Sequence, residues 1–158
     1  MGSMVEKHFF QTHVCTSATL SRRSIVLTPI LGLCTSVSAV DMASGSAKQW
    51  IKAAEEMKQQ ALSWGDQAYG AVLVKGNRII GYGPSRVVKN NDLDAHAERE
   101  AIKDALAKQN PQELMGSVLY STSIPCNLCE AAAARAGVSR MYFGAEANDA
   151  GKPRAAMK

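Results

Sequence analysis

Apolar and polar positions alternate along this chain with two different periods. From Ser46 onward Trp50, Ala54, Met57, Ala61 and Trp64 recur at steps of three and four, with Ser46 placed to cap and Gly65 to stop, which predicts one amphipathic helix. The period then shortens. Tyr69–Lys75 and Arg78–Tyr82 are β-rich runs separated by Gly76-Asn77, a two-residue hairpin signal. A polar loop from Gly83 to Leu93 leads to Asp94, a capping residue for a helix that starts at Ala95 and continues through Ala101, Ile102, Ala105 and Leu106 until Asn110-Pro111. Ser117–Ser121 reads as a third strand. Pro125 suits the first turn of a helix ending near Ala136 with Gly137 as its stop, and Arg140–Gly144 reads as a fourth strand followed by a polar tail. The order helix, strand, strand, helix, strand, helix, strand predicts an α/β fold with helices against a mixed sheet.

The first thirty-nine residues lack this patterning. Met1-Gly2-Ser3-Met4 reads as an expression scar ahead of a second start. Arg22 and Arg23 precede an apolar run from Ile25 to Leu33, and Val37-Ser38-Ala39 offers the small residues that a signal peptidase reads. This resembles a twin-arginine export signal, so the expectation is a leader over 1–39, a mature domain over 40–158 and a periplasmic or otherwise exported protein. A plain N-terminal extension on a cytoplasmic protein, or an organelle transit peptide, is the alternative. Pro29 and Gly32 break the apolar run, which is too short to span a bilayer.

Composition narrows the function. The 158 residues, 46% hydrophobic and 20% charged, suffice for one domain with a core. The net charge of +4 is spread over 18 basic and 14 acidic residues with no basic run or aromatic-interleaved stripe, so a nucleic-acid partner is not expected. Of four cysteines, Cys15 and Cys34 belong to the leader and Cys126 and Cys129 form one close pair, which is no disulfide framework.

The chemistry lies in Asp94-Ala95-His96-Ala97-Glu98 and Pro125-Cys126-Asn127-Leu128-Cys129. Alone, the cysteine pair would read equally as a redox pair, and His96 as an ordinary residue at a helix start. Together, one histidine and two cysteines are zinc-ligand types, each set at a helix N-terminus where backbone N–H groups and the macrodipole favour thiolates. The domain holds no other cysteine or histidine. Three protein ligands leave a position for water, the arrangement of a catalytic rather than a structural zinc, and Glu98 is the expected proton shuttle.

His-x-Glu followed by Pro-Cys-x-x-Cys is the pattern of zinc deaminases. The chain resembles the cytidine and deoxycytidylate deaminase superfamily from about Trp50 to Gly151, within the branch of guanine, free-cytosine and tRNA adenosine deaminases. Gly70–Val74 is similar to the family's first strand, Asn91–Glu98 to its zinc-and-acid segment and Leu119–Cys129 to its third strand and cysteine turn. The resemblance implies a three-layer α/β/α cytidine deaminase-like fold, Zn2+ as cofactor and a homodimer. It implies hydrolytic deamination of a free base or nucleoside as a small-molecule substrate, with the backbone N–H of Cys126 polarising the attacked group. Phe143–Ala150 is most similar to guanine deaminases, which marks Asp149 as a base contact. Ser85 stands where relatives carry a base-contacting asparagine, Ile124 where they carry a glutamate, and Arg135 where they carry an aromatic residue or histidine. The chain also ends before the C-terminal helices of many relatives. Competing readings are a deaminase of a base flipped out of RNA or single-stranded DNA, and a zinc-held binding domain without activity.

Overall fold

A computed structural model describes residues 39–155, with side chains from Ala47 onward. The export signal expected around Arg22 and Arg23, with its apolar run and the cleavage site before Val40, lies outside the described residues apart from Ala39. Helix α1 (Ala39–Ser63) leads into the hairpin of β1 (Gly70–Lys75) and β2 (Arg78–Pro84). Then come α2 (Ala97–Lys108), the single turn α3 (Pro111–Leu114), β3 (Val118–Ser121), α4 (Asn127–Arg135), β4 (Arg140–Phe143) and β5 (Asn148–Gly151). Among the described residues no helix is long and apolar enough to cross a membrane.

The strands order as β2-β1-β3-β4-β5. β1 runs antiparallel to both β2 and β3, β3 is parallel to β4, and β4 is antiparallel to β5, so the sheet is mixed as expected. Period-two alternation divides its side chains between two cores. Ala71, Leu73, Leu119 and Met141 pack with Ala97, Ala101, Ile102 and Ala105 of α2 and Ala133 of α4. Val72, Val74 and Tyr120 face the other way, against Trp50, Ile51 and Ala54 of α1. The result is three layers, with α1 on one face and α2 and α4 on the other.

Glycines set how closely the helices approach. A Cβ built on Gly83 would lie 2.0 Å from the carbonyl oxygen of Ala97, and one on Gly81 would lie 2.1 Å from that of Ala101. Only hydrogen fits between β2 and α2 at these two positions, so α2 lies directly on the strand. Three differences from the sequence reading have local causes. α1 continues upstream of Ser46 to Ala39, carrying Gly45 within it at a propensity cost of about 1 kcal/mol. α2 begins at Ala97, because Asp92 closes a turn through its own carbonyl and carboxylate, and Asp94 pairs with Arg99 instead of capping. β5, read as polar tail, is held to β4 by backbone pairing despite having no β-branched or aromatic residue.

Gly83→Ala tests the contact between β2 and α2. It is expected to lower unfolding stability by about 3 kcal/mol through overpacking against the helix backbone. Gly76→Ala, at an open hairpin position with φ +60°, should cost about 1–2 kcal/mol. Urea denaturation of both variants measures the difference, and equal midpoints would count against the close approach.

Candidate metal centre

His96 is the N-cap of α2, with extended backbone angles (φ −65°, ψ 152°). That conformation takes its side chain off the helical period, which lets it act in the same place as Glu98 although the two are only two residues apart. Cys126 caps α4 in the same way (φ −72°, ψ 164°), and its Sγ accepts the N–H of Cys129 at 3.3 Å. Pro125 therefore sits just before the cap, one step ahead of its expected place in the first turn. The helix ends as read: the Gly137 N–H bonds Ala134 and the Val138 N–H bonds Ala133, closing a left-handed C-terminal turn at Gly137 (φ +77°).

The two caps bring three donor atoms together. Nδ1 of His96 lies 3.7 Å from Sγ of Cys126 and 3.3 Å from Sγ of Cys129, and the two sulfurs are 3.1 Å apart. Both thiols are free. A tetrahedral zinc with its usual bond lengths needs about 3.6–3.8 Å between nitrogen and sulfur ligands, so the group fits Zn2+ with a slight contraction on the sulfur side. Among the described residues no fourth histidine, cysteine or carboxylate joins the cluster.

Electrostatics support the same conclusion. Burial pushes the Cys129 thiol well above its ordinary range, and the negative charge of Glu98 and the neighbouring Cys126 push it further. The helix N-terminus was expected to favour the thiolate here, but exclusion from water together with a nearby carboxylate outweighs it. A divalent cation bound here would displace the thiol protons and offset the negative charge of the buried carboxylate. Glu98 is only 5% exposed, and its Oε1 accepts the Ser121 hydroxyl at 2.9 Å. This partner was missed in the sequence, where Ser121 read only as the end of a strand. Among the described residues the N–H of Cys126 donates to no protein group, which leaves it available as the expected polariser.

Ser85 and Asp149 are placed differently. Ser85 is 1% exposed and donates its hydroxyl to Asp66 at 2.9 Å. Asp66 also accepts the N–H groups of Gln67 and Lys89, and clamps the loop that leads from β2 to His96. Burial raises the Asp66 carboxyl, but the bonds from Lys89, Gln67, Ser85 and Val88 together outweigh it and hold it below its ordinary range. Lys89 of this loop lies 3.5 Å from the ring centroid of Trp64, with Arg86 at 4.8 Å. Asp149 is gripped by Arg140 and by the N–H of Gly151, which keep its carboxyl low. Neither Ser85 nor Asp149 shares a hydrogen bond with the triad or Glu98. Ile124 is 68% exposed just ahead of the cysteines. Arg135 ends α4 beside a groove of about 520 Å³ that the triad does not line.

Comparison with known proteins decides the family. The pattern of the cytidine and deoxycytidylate deaminase zinc-binding region matches residues 44–145. The chain belongs to this family. A tRNA-specific adenosine deaminase of Buchnera aphidicola subsp. Schizaphis graminum is 34% identical over 108 residues, covering 68% of this chain and 72% of the relative. The guanine deaminase of Bacillus subtilis is 37% identical over 82 residues, 52% of this chain and 53% of the relative. A further relative, the tRNA-specific adenosine deaminase of Agrobacterium fabrum, is likewise matched over only 51% of its length. A solved structure from work on A-to-I editing by tRNA deaminases at the wobble position superposes with a TM-score of 0.55 at 33% identity, covering 60% of this chain and 73% of that one. The solved B. subtilis guanine deaminase gives 0.54 at 29% identity, with 62% and 63% covered. The three-layer architecture is thus the cytidine deaminase-like fold, and the His96, Cys126 and Cys129 group fits the zinc that this family binds.

Two measurements check the centre. Elemental analysis should find about one zinc per chain in the purified protein and almost none in Cys129→Ser. The second concerns pH. Because the folded, metal-free protein holds the Cys129 proton more tightly than the unfolded chain, that stabilisation is complete below the ordinary thiol value of 9.0 and fades as pH rises above it. Stripped protein should lose thermal stability between about pH 9 and 11 while zinc-loaded protein, whose sulfurs already act as thiolates, loses less.

Proposed function

We propose that this chain is a hydrolytic deaminase of a free nucleobase or nucleoside, taking an amino-heterocycle of the guanine or cytosine kind and releasing ammonia. The observation that carries this reading is the buried carboxylate of Glu98 beside a cluster of only three ligands. A structural zinc site needs four ligands and no proton shuttle. Zinc, when bound, supplies the Lewis acidity that makes water a nucleophile near neutral pH. Glu98 takes a proton from the attacking water and delivers it to the departing amine, while water oxygen replaces nitrogen on the ring carbon. The free N–H of Cys126 offers a fixed dipole to the group on which charge develops.

The surroundings favour a small, uncharged substrate over a nucleic acid. Leu93, Ile124 and Leu128, from the two segments that carry the ligands, are 84%, 68% and 62% exposed. Several basic side chains around those segments are paired with carboxylates, Arg86 and Lys103 with Glu100, Arg99 with Asp94 and Arg154 with Glu130, while Lys89 lies over the Trp64 ring. Exposed apolar side chains beside the ligands, with most nearby charges paired, suit a stacked ring better than a phosphate track. In this reading Asp149, kept ionised by Arg140, is the acceptor for ring N–H and amino donors, and Ser85 acts only through Asp66 on the loop.

The second reading, deamination of an adenosine within tRNA, is favoured by the names of the relatives from Buchnera and Agrobacterium. It predicts affinity for RNA that falls steeply with salt. The homodimer and the export of a mature chain beginning near Val40 belong to the proposal as well. Light scattering and N-terminal sequencing of secreted protein test them.

The deciding experiment offers zinc-loaded protein guanine, cytosine, cytidine, adenosine and tRNA in parallel and measures ammonia. Release from a free base or nucleoside is expected. Release from tRNA alone would move the assignment to the second reading. Glu98→Gln should retain zinc and lose at least a hundredfold in kcat, as removal of a general acid–base does. A fully active Glu98→Gln protein would contradict the role given to this residue.

A further inference from the structure

The oxygen atoms of Glu98 are not equivalent. Glu98 enters its site from the first turn of α2, and β3 ends directly against it. In the alternation of β3, Leu119 faces α2 and Tyr120 faces α1, which returns Ser121 to the α2 side. Ser121 is 1% exposed, and a hydroxyl so deeply placed has to be satisfied by protein. Its Oγ lies 2.9 Å from Oε1 of Glu98 and 2.8 Å from the carbonyl oxygen of Ser123, and it accepts the Ser123 N–H at 3.3 Å. One hydroxyl has one proton to give. Between a neutral carbonyl and a carboxylate the charged acceptor binds more strongly, by roughly a factor of two in hydrogen-bond energy. The Ser123 N–H fills a lone pair from the other side and fixes the rotor. Among the described residues no other oxygen or nitrogen donor reaches this carboxylate, and its remaining hydrogen-bonding neighbour is the Cys129 thiol of the ligand cluster.

We propose that Ser121 is a positioning residue, which ties down Oε1 of Glu98 so that Oε2 alone is presented to the reacting water and amine. The proposal rests on the deaminase reading for its catalytic meaning, although the contact itself does not. A carboxylate on a tether of two methylenes at a helix start can rotate and swing, and misplacement by about 1 Å costs up to a hundredfold in rate. Ser121, carried on a central strand of the sheet, removes that freedom. A serine that merely fills space would leave kcat indifferent to its hydroxyl.

The test compares zinc-loaded wild type, Ser121→Ala, Ser121→Thr and Glu98→Gln, with zinc content measured for each. On whichever substrate releases ammonia, Ser121→Ala should lower kcat about tenfold to a hundredfold with KM within about twofold and zinc unchanged. Ser121→Thr, which keeps the hydroxyl, should recover to within about fivefold of wild type, and adding Ser121→Ala to Glu98→Gln should cost nothing further. Wild-type kcat in Ser121→Ala would overturn the proposal. Crystal structures of zinc-loaded wild type and Ser121→Ala are determined alongside. A single Glu98 carboxylate position in the wild type and a displaced or divided one in the variant supports the assignment. The same position in both refutes it. If no substrate is turned over even by wild type, the deaminase reading fails, and the pair of structures still decides whether Ser121 holds Glu98.

Discussion

Everything at the metal centre depends on how closely α2 lies on β2. Gly81 and Gly83 present only hydrogen to the carbonyls of Ala101 and Ala97, and Ala97, Ala101 and Ala105 keep the helix side of the contact small. Close packing of this kind leaves little room to slide, since each atom lies at its contact distance. It also places the first turn of α2, with His96 and Glu98, at a fixed height above the sheet. α4 is placed by the neighbouring parallel strands, through Ala133 against Leu119 and Met141. The triad forms where two helices, each positioned by a different strand pair, begin side by side.

The charges in that place are arranged against the protein's own preference. Cys129 is buried next to Cys126 and Glu98, and all three raise the cost of a thiolate there. Folding brings these groups together because the apolar contacts on both faces of the sheet outweigh local repulsion, and a cation then converts the repulsion into binding energy. The same crowding keeps Glu98 close enough to act on whatever the cation holds. Its carboxylate meets the Ser121 hydroxyl and little water, so its orientation is set by the sheet rather than by solvent.

Among the described residues the sequence shows four of the five strands and every long helix, because each has its own apolar period: threes and fours in Trp50, Ala54, Met57 and Ala61, twos in Val72 and Val74 against Leu73. His96, Cys126 and Cys129 were legible because these ligand types are scarce and the domain holds no spare ones, and Glu98 because it stands two residues after the histidine. β5 was not legible, since Asn148-Asp-Ala-Gly151 becomes a strand through its partner and not through its own preferences. Ser121 was hidden for a related reason. Its significance is a contact with a residue 23 positions away, and a serine at a strand end carries no signal of that kind. Ser85 shows the converse. Its position matched a base-contacting residue, but a buried Asp66 nearby takes its only proton. Pairing and polar satisfaction are tertiary facts, decided by which groups meet.

Trp64 adds something of practical use. It closes α1 on the far side of the loop from Ser85 to Lys89, with the Lys89 ammonium over its ring, whereas the chain's other tryptophan, Trp50, is enclosed between α1 and the sheet. One indole therefore lies in a constant apolar setting and the other beneath two cations on the segment that leads to His96. Intrinsic fluorescence of this protein thus contains an internal reference and an optical probe of the loop. Replacing Trp50 by phenylalanine would leave an emission that follows, without any label, the movement of the loop as ligands arrive.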